Sequence, residues 1–258
     1  MRRIHAVTRN PATYARLALT FVIAGGIAWL VPYAGSDALD YIGPRAVNLG
    51  ILFSITIGFL MYKSLTRRSD MDNYIALELN KIRRLYHLSL HIKKAQPAAQ
   101  VWFTAVRGAI REYLGLFRTI TFHEYDLGNP IFRAITYAIY SLPGQVREYD
   151  HDLYQSLLAA TADVTLAREY IRAKKDDQIS WFSWEVVIFI SLAFSVIITA
   201  ATPAQLVLRG IGALVIACLY LVLQLIYEHD MPNSLRDRAW AARYAADLKS
   251  LDHADRME

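Results

Sequence analysis

Cysteine is almost absent. Cys218 is the only one, so no intrachain disulfide can form, and its place in an apolar run marks it as a small buried hydrophobe. Acid is missing from the N-terminal stretch, where Arg2, Arg3, Arg9 and Arg16 all precede the first acidic residue, Asp37. The first apolar stretch lacks a small-residue cleavage site and is soon followed by a second, which argues against a secretory leader. There is no Gly-rich phosphate loop, no nucleophile elbow and no ligand set with enzyme spacing, so the chain does not read as an enzyme. Strand alternation, internal repeats and low-complexity tracts are also lacking, which leaves an all-α protein. The 16 tyrosines and the arginines are dispersed and form no nucleic-acid surface.

What is present is oil and charge together. Of 258 residues, 55% are hydrophobic and 20% charged, with a mean hydropathy of +0.22. That mixture implies a protein part in bilayer and part in water. A bilayer core of about 30 Å takes about 20 apolar residues per helix. Four segments fit: 17–33, 46–62, 181–201 and 204–227. Tyr33, Tyr62, Trp181, Trp184 and Tyr227 lie near their ends, where amphipathic rings prefer the interface. The net charge of +5 is mostly topological. Apart from Arg45 and Arg209, every basic residue lies in the N-terminal tail, between spans two and three, or after span four. The positive-inside rule then puts both termini and the long middle region in the cytoplasm. The expected location is the inner membrane of a bacterium.

The chain divides into four parts. Residues 1–62 hold the tail and spans one and two. Residues 63–180 form a cytoplasmic helical domain, 181–227 hold spans three and four, and 228–258 form a cytoplasmic tail helix. In the middle region Ile75, Leu79, Ile82 and Tyr86 make one helical stripe. Gln96-Pro97 breaks that helix. Further helices are expected over 98–122, 131–140 and 145–175, and the flanking ones continue from spans two and three without a break. Pro232 stops the exit of span four, and Asn233 or Ser234 can cap the tail helix, which carries Trp240, Tyr244 and Leu248 on one side.

Span two is the informative one. Gly50, Ser54 and Gly58 recur every fourth residue on one face, and small residues let a second backbone approach closely. Ile51, Ile55 and Phe59 recur at the same spacing on the neighbouring face. Such repeats belong to any spanning helix, and equally to an apolar constriction that gates by dewetting. Glu185 inside span three and Arg209 inside span four read as snorkelling or paired residues. His87 and His91 have zinc-compatible spacing but lack further ligands. The Glu228-His229-Asp230 cluster is the one calcium-like grouping, because hard cations want clustered oxygens. A helix-exit role is its simpler reading, so no cofactor is expected.

Two spans, a long helical insertion, two more spans and an acidic–Pro exit resemble the bestrophin family and its bacterial relatives. The local matches are Leu49-Gly50-Ile51 followed by Gly58-Phe59 in span two, Arg67 in the helix leaving the membrane, and Glu228, Asp230 and Pro232 at the exit of span four. Departures are Leu60-Met61 in place of an Arg-Asn pair, Asn233-Ser234 in place of Phe-Gly, and the absence of the family's Glu-Ala-Arg and Trp-Asp motifs. The resemblance implies a homo-pentamer around one pore, with Ile51, Ile55 and Phe59 ringing its neck, and passive conduction of small inorganic ions. It leaves anion or cation preference open. The expected partners are therefore the lipid bilayer, further copies of the chain, and ions. The competing reading is a membrane-anchored signalling or scaffold protein whose helical domain binds a partner. A transporter is disfavoured, since inverted repeats and broken helices are not apparent.

Overall fold

The computed structural model describes residues 11–120, 122–149, 151–230 and 234–254. The expectations resting on Arg2, Arg3, Arg9, Pro232 and Asn233 lie outside them. The described chain is helical, with no strand among these residues. In order it runs α1 (Pro11–Leu30), α2 (Ser36–Ala95), α3 (Gln100–Leu116), α4 (Asn129–Tyr140), α5 (Gly144–Tyr149), α6 (His151–Asp176), α7 (Trp181–Ala201), α8 (Leu206–Asp230) and α9 (Ser234–Ala254). Two compact units result. One comprises residues 1–65 and 179–230, the other 66–178 and 231–258.

The first unit holds the apolar helices. Three are long and apolar enough to cross a membrane: α2, α7 and α8. A fourth apolar stretch, Ala18–Leu30 of α1, is shorter. Small residues set the packing here. Ala24 of α1 is buried against Ile216 and Ala217 of α8, and Ala28 of α1 is also buried. The buried face of α7 carries Ser191, Ser195 and Thr199, each hydroxyl donating to the carbonyl four residues back. These hydroxyls satisfy themselves locally, so the face stays compact without polar partners elsewhere. Cys218 departs from its expected burial. It is exposed, because the face of α8 that packs carries Gly212, Ile216, Ala217 and Leu223. Between α1 and α2 the chain turns at Gly35, whose φ of +84° suits a residue without a Cβ.

The second unit has one large apolar core. The stripe Met71, Ile75, Leu79, Ile82 and Tyr86 of α2 packs with Trp102, Val106, Ile110 and Leu114 of α3, Ile135 and Ile139 of α4, and Leu157, Val164 and Ile171 of α6. Tyr244, Leu248 and Leu251 of α9 are buried in the same core. Pro97 does end α2, opening a short 3₁₀ turn, Pro97–Ala99. Pro130 stands in the first turn of α4, where its missing N–H costs nothing.

Two expectations about continuity divide. Helix α2 runs unbroken for 60 residues, from Ser36 to Ala95. The second junction is broken instead: α6 ends at Asp176 and α7 begins at Trp181. Ser180 is extended, and its hydroxyl accepts from the Ser183 N–H as an N-cap. Of the expected 145–175 helix, α5 and α6 are described on either side of residue 150, which lies outside the described residues.

Candidate functional site

Within the first unit the membrane portion of α2 has two unlike faces. Phe53, Ile57 and Leu60 are buried, and Ser64 continues that line. Phe53 stacks on Phe194 of α7 with ring centres 5.7 Å apart, and the Ser64 hydroxyl donates to the Ile226 carbonyl of α8 at 3.4 Å. At about 100° per residue, Ile51, Ile55 and Phe59 fall on the opposite side. They are 55%, 67% and 64% exposed. Three large apolar groups are thus left uncovered on one face.

The small residues do not act as one stripe inside the subunit. A Cβ on Gly50 would lie 3.2 Å from Phe194 Cζ, so this glycine seats the α7 ring. A Cβ on Gly58 would meet nothing within 4 Å. Ser54 is exposed and donates to the Gly50 carbonyl at 2.8 Å. Ser54 and Gly58 therefore share the open face with Ile51, Ile55 and Phe59.

The polar residues of the first unit mostly close helix ends. Arg209 is 6% exposed and donates through Nη1 to the carbonyls of Ala28 and Val31. Those carbonyls lie in the last turn of α1 and just past its end, where helix carbonyls lack intrahelical partners, so a cation there satisfies them and the helix dipole together. Asp230, 1% exposed, accepts the Ile179 N–H on both carboxylate oxygens at 3.1 Å. Glu228 instead pairs with Arg16 at 3.3 Å. The two acids are thus turned to different partners. Among the described residues no group of three His, Cys, Asp or Glu side chains is placed to hold a metal. Glu185, His87 and His91 are exposed. In the second unit, Arg67 plays the part that Arg209 plays in the first. It donates to the carbonyls of Lys174 and Lys175, at 2.9 and 2.7 Å, where α6 ends.

The second unit also contains a buried polar cluster that the helical stripes did not reveal. Glu78 of α2 is fully buried. Its carboxylate accepts from the hydroxyls of Tyr113 at 2.5 Å, Tyr125 at 2.9 Å and Tyr244 at 2.5 Å, and from Arg168 Nη1 at 3.3 Å. Arg168 also donates to the Tyr113 hydroxyl, and through Nη2 to Asn129 Oδ1 at 2.8 Å. Its guanidinium carbon lies 4.5 Å from the Phe132 ring centre. Burial pushes the Glu78 carboxyl above the ordinary carboxylate range, against the pull of Arg168 and of the Tyr244 and Tyr125 hydroxyls. Burial, reinforced by the Glu78 charge, pushes Tyr125 and Tyr244 well above the usual phenol range. Burial also draws Arg168 down, opposed by Glu78. One signal was legible: Glu78 falls at the third position after Ile75 and the fourth before Ile82, on the stripe itself. A charge placed there must find partners inside.

Comparison with known proteins places this architecture. A family model described as Bestrophin-like domain matches residues 17–234. Among solved structures, one of a point mutant of a bacterial bestrophin homologue from Klebsiella pneumoniae aligns with a TM-score of 0.65 at 14% identity, covering 92% of this chain and 99% of that one. Another structure of a bestrophin homologue from the same organism aligns with a TM-score of 0.62 at 16% identity, covering 92% and 97%. At such identities the likeness is one of fold. No curated protein matches the chain.

Proposed function

The chain belongs to the bestrophin-like family, and from that membership we propose that it is an ion channel of the inner membrane, assembled as a homo-pentamer. In this reading α1, α2, α7 and α8 cross the bilayer, both termini are cytoplasmic, and the α2 helices surround one central pore. Small inorganic ions pass through it down their gradient. Ile51, Ile55 and Phe59 form the neck. A narrow apolar ring sheds water, and without water an ion cannot enter. Splaying or turning the α2 helices would rewet it. Ser54 and Gly58 lie beside the neck residues and let neighbouring α2 helices come close. No resident cofactor enters the reading, since the Asp230 carboxylate is engaged by the Ile179 N–H.

One observation carries this. The subunit buries Phe53, Ile57 and Leu60 but leaves Ile51, Ile55 and Phe59 uncovered, so the face that the resemblance assigns to the neck is free to meet a pore axis. The test is recording from purified protein in planar bilayers. Changing Ile51, Ile55 and Phe59 together to Ala is expected to raise open probability or conductance. Currents identical to the wild type's would reject the neck. A wild-type protein that passes no current under any ionic gradient would favour the membrane-anchored scaffold instead.

A further inference from the structure

The second unit has an open cleft of about 450 Å³ between α4 and α6. Three arginines line it: Arg133 of α4 and Arg168 and Arg172 of α6, with Glu169 the one acid in the lining. Their commitments differ. Arg168 is 3% exposed and is held in place by Glu78, Tyr113 and Asn129. Arg172 uses Nε on Asp126 at 2.8 Å and Nη1 on Glu169 at 3.0 Å, and its Nη2 makes no hydrogen bond among the described residues. Arg133 is exposed and makes no hydrogen bond or ion pair among the described residues. The remaining lining includes Phe132, Tyr137 and Tyr140, with the two tyrosines 69% and 52% exposed.

We propose that this cleft binds a small soluble organic phosphate, its phosphoryl oxygens on Arg133 and Arg172 and its flat or apolar body against Phe132, Tyr137 and Tyr140. Guanidinium forks suit phosphate oxygens, which accept two parallel N–H bonds from each. One dianion matches the two arginines with free donors, while Arg168, paired with Glu78, forms a fixed floor to the cleft. The volume lies in the range of small-molecule sites, about 300–1,000 Å³. A bare inorganic ion would leave most of it to water, and the aromatic wall would then face nothing. Glu169 competes with the ligand for Arg172, so binding turns its carboxylate outward.

Phenyl phosphate is the probe, titrated calorimetrically into the full-length protein in detergent. Saturable binding is expected, with inorganic phosphate at least tenfold weaker. Arg133→Gln changes an exposed side chain that makes no hydrogen bond or ion pair among the described residues, so the fold is expected to be kept, and it is expected to weaken phenyl phosphate at least tenfold. Glu169→Gln removes the competitor and is expected to tighten it. Wild-type protein with no saturable binding, or Arg133→Gln binding as the wild type does, would overturn the proposal. So would vesicles containing phosphatidic acid that displace phenyl phosphate from the wild type and do not bind Arg133→Gln, since the phosphate would then be a lipid headgroup. None of these readouts needs a current, so the cleft and the channel reading stand or fall separately.

Discussion

Glu78 is the residue on which the second unit is most exposed to single changes. Removing Arg168 would leave its carboxylate without a counter-charge in a dry site. Arg168→Met is therefore expected to destabilise the protein by about 3–5 kcal/mol, the usual consequence of breaking a buried pair from one side. Tyr244→Phe removes one of the three hydroxyls on Glu78 and is expected to cost about 1–3 kcal/mol, measured as a fall in thermal midpoint. The pH dependence has a definite sign. Folding raises the Glu78 pKa above its ordinary value of 4.5. The folded state thus holds that proton more tightly, and its contribution to stability is full below pH 4.5 and lost as pH rises through the folded pKa. Glu78→Gln abolishes this titration. Relative to that variant, the wild type is expected to lose stability as pH is raised from 4.5 through the folded pKa. A midpoint difference that stays constant across that range would refute it. Gly50 shows the same sensitivity in the first unit. Because its absent Cβ would sit 3.2 Å from Phe194, Gly50→Val is expected to cost about 1–3 kcal/mol through overpacking, while Gly58→Ala meets nothing within the subunit.

At the scale of elements, periodicity carried well where a helix has one apolar stripe. The α2 stripe from Ile75 to Tyr86, the α3 stripe from Trp102 to Leu114 and the tail stripe of Trp240, Tyr244 and Leu248 were all legible, because a 3.6-residue repeat needs only one kind of neighbour. Pro97 was legible as a stop for the same local reason. The break at 177–180 was not. It depends on side chains far away in sequence, with Arg67 closing the end of α6 and Asp230 holding the Ile179 N–H, and no local composition announces either. Cys218 was misread because an apolar run does not say which of its faces packs. Arg209 was legible as a snorkelling or paired charge, but not as the buried group that closes α1, since the carbonyls of Ala28 and Val31 carry no side-chain signature. That role is checkable. Arg209→Leu leaves two carbonyls unsatisfied, each worth about 1–3 kcal/mol, and is expected to lower the thermal midpoint. Arg209→Lys keeps the charge but not the reach of the fork, and is expected to fall between the two.

For the whole molecule, the order of parts spoke more clearly than any single motif. The family model covers residues 17–234, yet the solved structures that share the fold are only 14–16% identical. A fold of this kind survives such divergence because it asks for apolar faces at the right spacing rather than particular residues. The pore, by contrast, is formed only when copies meet, and one chain can disclose no more than an uncovered face. The account's central claim is that this face of α2 borders the ion path. It is tested most directly by placing a cysteine at position 55 in a Cys218→Ser background and adding a charged thiol reagent while single-channel current is recorded. The account predicts that Ile55→Cys channels change conductance irreversibly on modification and that Ile57→Cys channels, altered on the buried face, do not. Modified Ile55→Cys channels with unaltered current would contradict it.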